Sequence, residues 1–528
     1  MAERIVSPGV FTRERDLSFL PQGIADIGAC IVGPTLKGPA FVPTKISNFP
    51  EFEEIFGSTS KDYYTPYAVE QYLRSAGTVT IVRILNTAGY SVDSLALFAS
   101  SSTLSRTTLA VLAPSRGGGD GTADLESSST TGSWSEFTLN LSGSNWGAKS
   151  LTARAYTLSF DTGSKNYIEN VFSKDAQVQK SGGNNVSAYL YKVFKAGATS
   201  GSVSSTTPVS ASAGTLNLAT TYANASTPSI QSQLISGARY SLFKINTRSH
   251  GSDVNDKLKI VILNVKKAGS IAGSDYGSFS VQVRQTGLND NDLTKDNILE
   301  QFDGLNFDPT SPNYFARRIG DRYVTIDANG KLTYNGDWPN MSKYIYVSDF
   351  SAIANNEVPK AVVPMGHAAI QNPFGSDDTS VPTWKIKSDQ LNTNSEFDSN
   401  VLYGHDFDNA DAEEYLAPLN SFGNGSHVSM SLEDQLGHAD ASTLGDTYSD
   451  ASEKITLTLS HIKQRKFVVP FQGGFDSVNP AAPKFVGSDI VNTNTQGFDI
   501  STSSTGGTVA YKKAINAISN PDEFDINM

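Results

Sequence analysis

The sequence predicts an α+β multidomain protein, with a discontinuous α/β domain, β-rich domains inserted into it, and an extended N-terminal arm. Three observations predict it. Segments 24–85 and 509–528 share one texture, short helical patterns beside apolar or β-branched runs. Residues 90–240 are instead crowded with Ser, Thr and Gly between short alternating runs. Residues 1–22 carry scattered apolar side chains that could not bury one another.

The elements follow in chain order. In the arm, Ser7-Pro8-Gly9 is a break, and Arg13, Glu14, Arg15 and Asp16 crowd charges together. Ile27 to Val32 reads as a buried strand. Pro50 can open a short helix in which Phe52, Ile55 and Phe56 share a face, with Gly57 just past its end. Thr65-Pro66 starts a second helix, Thr65 as cap, with Val69, Tyr72, Leu73 and Ala76 at i, i+3, i+4 and i+7 and Gly77 closing it. Thr78 to Leu85 is β-branched and extended.

The middle reads as strands and turns. Phe137 to Leu141 and Tyr156 to Phe160 alternate apolar with polar residues, while 115–133 and 196–227 read as flexible polar surface. Leu258 to Leu263 and Phe279 to Val283 are strands, and Ser311-Pro312 starts a short helix carrying Phe315 and Ile319. Residues 345–455 read as irregular, acidic and Asn/Asp-rich. Val509 to Ser519 is a helix stopped by Asn520-Pro521. Phe524 to Met528 begins an apolar strand, so a longer chain is expected. The expected divisions are an arm at 1–22, a first α/β segment at 23–90, a β-rich insertion at 91–240, an α+β insertion at 241–345, an irregular acidic segment at 346–466 and a return to the first domain at 467–528.

Composition narrows the function. A chain of 528 residues has room for about three or four domains. Its 53 acidic and 41 basic side chains give a net charge of -12, which repels phosphate backbones and argues against nucleic acid as a partner. No apolar run reaches about 18 residues, so no membrane span is expected, and Met1 to Gly9 lacks the apolar stretch of a signal peptide. The single cysteine, Cys30, allows no internal disulfide or cysteine-based zinc site and is expected as a small core residue in a reducing cytoplasm.

Candidate chemistry is sparse. Arg116 to Thr122 is glycine-rich but lacks the G-x-x-x-x-G-K-[ST] phosphate-loop pattern. His405, Asp406, Asp408, Asp411, Glu413 and Glu414 do not space as an EF-hand and read as a solvated acidic loop. Gly425-Ser426-His427 lacks the G-x-S-x-G of a nucleophile elbow. His250, His367, His438 and His461 show no metal spacing, and the basic run His461, Lys463, Arg465 and Lys466 reads as a solvated strand face. No catalytic, cofactor-binding or metal-ligating residue is therefore expected.

Several segments, in order, resemble the contractile tail sheath family of myovirus-like bacteriophages. They are Ser7 to Phe11, Val32-Gly33-Pro34, Lys37 to Ala40, Phe52 to Gly57, Ala68 to Leu73 and Val79 to Ile84. Glu300 to Pro309, Ser311 to Tyr314, Ile319-Gly320-Asp321, Phe467 to Asp476 and Asn520 to Asp525 continue the series, and 345–455 matches least. The resemblance implies a non-enzymatic subunit of the virion, assembled in the bacterial cytoplasm. It would polymerise helically with itself, as stacked hexameric rings, around a tail tube protein, with baseplate and tail terminator proteins at the ends, and contract to drive the tube through the host envelope.

It also implies that the family continues past this point into a further part that supplies strands to neighbours and contacts the tube. Ser7, Pro8, Gly9, Val10 and Phe11 would form an inter-subunit arm, adding a strand to a neighbour's sheet, with a hinge from Leu20 to Gly23. Two other classes compete: a virion-surface β-rich protein for host attachment or decoration, and a glycan hydrolase, for which no paired carboxylates stand out.

Overall fold

The computed structural model describes residues 28–87, 92–99, 107–114, 126–172, 188–193, 204–216, 221–232, 240–285, 298–368, 401–402, 467–477 and 498–526, apart from 61–62, 76, 147–148, 252, 267, 270–272, 499, 501, 522 and 525. The fold is mostly β-sheet with few helices. Its buried side chains gather around a small α/β unit and two larger β-rich units.

In the α/β unit, strand Val79–Arg83 is central, parallel to Cys30–Gly33 and antiparallel to Thr44–Ile46. Its pleat sends alternate side chains to opposite faces. Val79 and Ile81 join Phe52, Phe56 and Val69 from the helices Phe49–Phe56 and Thr65–Leu73. Val82 joins Phe41, Ile84, Phe498, Ala510 and Ala514, the last two from helix Gly506–Ala517. Small alanines on that helix face bring it close to the sheet. Segments more than 400 positions apart thus share one core.

Capping decides the helix starts. The Asn48 side chain accepts from the Glu51 N–H at 2.9 Å, so the first helix begins before Pro50. Thr65, expected as a cap, is already helical, and its predecessor Tyr64 makes no side-chain capping bond. Cys30 is half-buried against the core rather than enclosed, and burial pushes its thiol up to about 11.

The first inserted unit spans 92–216. A four-stranded antiparallel sheet runs in the order Val209–Leu216, Val92–Ala99, Thr107–Pro114, Ala188–Val193. It shares a core with a meander of Glu126–Ser133, Glu136–Trp146 and Lys149–Leu158. Phe137, Leu139 and Leu141 face inward from alternate positions, packed with Leu95, Leu97 and Leu112. Parts of 115–133 and 196–227 expected as flexible surface are strands, because a half-buried strand can be Ser/Thr-rich on its open face. The entry and exit strands are neighbours, Val92 pairing with Leu216.

The second inserted unit combines 221–232, 240–285, 298–368 and 467–477. One antiparallel sheet orders Ile298–Leu305, Ser278–Gln285, Leu258–Lys266 and Phe467–Pro470. A second sheet centres on Ser241–His250, which pairs with Asn224–Ser226, Ile230–Ser232 and Ile345–Ser348; Ile230–Ser232 in turn pairs with Pro364–Ala368. Between them the rings of Phe243, Phe279, Phe307 and Phe315 pack with centroids 4.9–6.1 Å apart.

Four expectations fall differently here. Phe467 to Pro470 was expected with the small α/β unit, but pairs with Leu258–Lys266, where its four apolar residues are buried. Residues 345–368 are ordered strands and a helical turn, because Ile345, Val347, Ile353 and Val363 are needed to close this core. The helix expected at Ser311-Pro312 begins at Phe315, since Ser311 and Pro312 are spent in a turn closed by the Tyr314 N–H donating to the Ser311 carbonyl. The boundary after the first insertion also moves, because Ala225 and Ile230 belong to the second unit's core.

Candidate functional site

A β-strand that enters a core should not end on a charge, yet Val79–Arg83 does so, and Arg83 is 2% exposed. A buried guanidinium is stable only with its donors matched. Arg83 Nε donates to the Thr35 carbonyl at 3.3 Å, and Nη1 donates to the carbonyls of Gly38 at 2.6 Å and His250 at 2.8 Å. Nη2 lies 4.0 Å from the Asp476 carboxylate. Burial lowers the Arg83 pKa, and the Asp476 charge opposes that shift.

These partners come from two units. Thr35 and Gly38 lie in the loop after Cys30–Gly33, whereas His250 ends the central strand of the second inserted unit and Asp476 follows its last strand. The backbones are stitched as well. His250 N donates to the Gly38 carbonyl at 3.1 Å, Gly38 N donates to Ser249 Oγ at 2.8 Å, and Ala40 N donates to His250 Nδ1 at 3.1 Å. The last bond requires an unprotonated Nδ1, so the imidazole is neutral. Burial, and secondarily the Arg83 charge, hold its pKa down at about 3.

Segment 472–477 is itself fixed. Asn255 exchanges two hydrogen bonds with Gly474, at 2.8 and 2.9 Å, and Phe475 exchanges two with Ala223, at 2.8 and 3.0 Å. Ser477 Oγ donates to the Asn86 carbonyl, tying the segment back to the α/β unit. Gly251, at φ +122°, leaves open the space into which the Asp476 carboxylate fits.

Two outer contacts repeat the connection. Lys343 Nζ pairs with Glu54 at 2.7 Å. The hairpin Tyr323–Ile326/Leu332–Asn335 lies over helix Gly506–Ala517, with Asn516 Nδ2 donating to the Asn329 carbonyl at 3.0 Å, Tyr334 Oη to Glu523 at 2.5 Å, and Ile326 packed on the shared core. Chemically this arrangement holds two bodies together. The polar groups around Arg83 are engaged with one another in the interior, and the two outer contacts are exposed.

The arm residues Ser7, Pro8, Gly9, Val10 and Phe11 and the hinge residues Leu20 and Gly23 lie outside the described residues. So do the glycine-rich loop at 116–122, the acidic cluster from His405, Gly425-Ser426-His427 and the basic run from His461. Of the histidines considered, His250 sits in the junction and His367 is buried in the second unit, its pKa lowered by burial to about 4. Among the described residues, no group of three or more His, Cys, Asp or Glu side chains could hold a metal ion, and no helix is long and apolar enough to cross a membrane.

Reading the sequence alone passed over Arg83 and Asp476 as junction residues. The available signal was a lone arginine inside the apolar, β-branched run Thr78 to Leu85, a position where a solvated cation has no place. No protein-family model matches the chain, and no curated protein matches it either.

Proposed function

We propose that this chain is a structural subunit of a contractile bacteriophage tail sheath, built around a sheath-type α/β core that carries outward insertions. The observation that carries the reading is that both ends of the described chain build one small α/β unit, while the β-rich units are inserted between them. The ordered series of sheath-like segments, from Val32-Gly33-Pro34 to Asn520 to Asp525, supports it.

A contracting sheath needs no bond-breaking chemistry. Its work is a free-energy difference between two packings of identical subunits, and small rigid-body moves add along a helical array. Such a subunit must transmit force without deforming, and the buried Arg83 junction between the α/β unit and the second inserted unit suits that demand. The subunit would polymerise through head-to-tail contacts around a tail tube protein, between baseplate and tail terminator proteins.

Electron microscopy of the purified protein, alone and with its tail tube, tests this. Striated tubes or stacked rings are expected. Compact trimers or fibres would favour a host-attachment protein, and a discrete monomer beside the tube would overturn the sheath reading. Deleting residues 1–20 should abolish tubes if the arm links subunits, and normal tubes would refute that role.

A further inference from the structure

The second inserted unit carries a basic surface in an acidic chain. Arg317, Arg318 and Arg322 fall within six positions and are exposed. Among the described residues none of the three forms an ion pair. Arg317 lies over the Trp338 ring at 5.4 Å. Met341 is 67% exposed, although its N–H donates to the Ile319 carbonyl at 2.9 Å.

The loop that presents these groups is held rigidly. Trp338 N donates to Asp321 Oδ1 at 2.6 Å, and Asp321 N donates to the Trp338 carbonyl at 3.2 Å. Asn340 accepts from Arg322 N at 3.1 Å and donates to the Arg322 carbonyl at 2.6 Å. Gly320, at φ +106°, lets Pro339 and Asn340 lie directly against the turn. An apolar side chain held in water by a bolted loop loses little conformational entropy on docking. Arginine, tryptophan and methionine are also the side chains enriched at protein interfaces.

We propose that Arg317, Arg318, Arg322, Trp338 and Met341 form a docking surface for a carboxylate-rich face of a second copy of this chain. The occupant follows from charge. Acidic side chains outnumber basic ones by 53 to 41 over the chain, whereas three exposed arginines stand within six positions here. Arginines presented in pairs can grip carboxylates bidentately, and Met341 would seat in the apolar ground between them. The inference rests on the chain being self-assembling.

The test is sedimentation analysis of the full chain over a range of NaCl concentrations, with electron microscopy of the same samples. Three proteins are compared: wild type, the triple variant Arg317→Gln/Arg318→Gln/Arg322→Gln, and Met341→Gln. Circular dichroism and thermal unfolding establish that each variant is folded. Wild-type association should weaken as salt rises. The triple variant should associate at least about tenfold more weakly, a loss of the size expected for interface arginines, and should lose most of the salt dependence. Met341→Gln should weaken association while keeping the salt dependence.

Association unchanged in the folded triple variant overturns the docking surface, and tubes formed by that variant would leave the sheath reading standing. Closed dimers that depend on the arginines, without tubes, would support the surface and overturn the sheath reading. A wild-type chain that stays monomeric overturns both.

Discussion

The Arg83 guanidinium donates a 2.8 Å hydrogen bond to the backbone carbonyl of His250, 167 positions away, and so joins the α/β unit to the second inserted unit through a buried cation. A charge in that position is costly unless all its bonds are made, so the junction should be close to all-or-none.

Replacing Arg83 with Met should therefore destabilise the protein by about 3 kcal/mol or more, because the carbonyls of Thr35 and His250 lose this donor together and that of Gly38 keeps only the His250 N–H. Arg83→Lys should lie between, since an ammonium keeps the charge but cannot span three carbonyls in one plane. Urea unfolding of the three proteins checks this. Equal stability of Arg83→Met and wild type would show that the junction contributes nothing.

His250 makes the junction acid-sensitive. Its folded pKa of about 3 lies below the ordinary 6.5, so the folded state binds fewer protons than the unfolded chain between those values. The stabilisation from neutral His250 is complete above about pH 6.5 and is lost progressively as pH falls toward 3. His367 adds the same sign of effect between 6.5 and about 4. In His250→Asn the amide oxygen can take over the acceptor role of Nδ1 without titrating. The slope of unfolding free energy against pH should then be smaller for this variant than for wild type below pH 6.5.

Gly251→Ala tests the fit of the carboxylate. Its φ of +122° is hostile to a side chain, and the added methyl would collide with the Asp476 carboxylate. A loss of about 1–3 kcal/mol is expected, measured by thermal unfolding. Alanine tolerated without loss would mean that Asp476 can leave the junction freely.

The first inserted unit should be separable. Val92 pairs with Leu216, so both connections leave from adjacent strand ends, and its core is its own. Residues 92–216 expressed alone should fold, and the chain with 91–217 replaced by a short glycine-serine linker should keep the cooperative unfolding of the remainder. Circular dichroism and calorimetry of the two pieces would read this. A remainder that fails to fold would show that the insertion supports its host.

Phe315 anchors the other large core. Its ring contacts Phe243 at 4.9 Å, Phe307 at 5.2 Å and Phe350 at 5.3 Å. Phe315→Ala should cost about 3–5 kcal/mol, readable as a shift in the urea midpoint of the second unit. A midpoint within error of wild type would contradict the packing.

Local chemistry was legible in the residues themselves. Alternation in Phe137 to Leu141, the apolar runs Leu258 to Leu263 and Phe279 to Val283, and the four-spaced Ala510 and Ala514 each announce a strand or a helix face, because these periods follow from backbone geometry. Helix ends were read a few residues out, since a cap such as Asn48 competes with the proline that follows it. The partnership of strands was not legible. Phe467 to Pro470 could have paired with any apolar edge, and only the register against Lys259 to Ile262 assigns it to the second unit. Likewise nothing in the run Thr78 to Leu85 tells which groups make Arg83 a junction residue, because Thr35, Gly38 and His250 converge on it only in the folded protein. By itself the sequence determined which residues form strands and helices and which faces are apolar, because those are short-range properties of the chain. Which surfaces meet, and hence where a charge can be buried, was decided only in three dimensions, because matching a guanidinium's donors takes groups that lie far apart along the backbone.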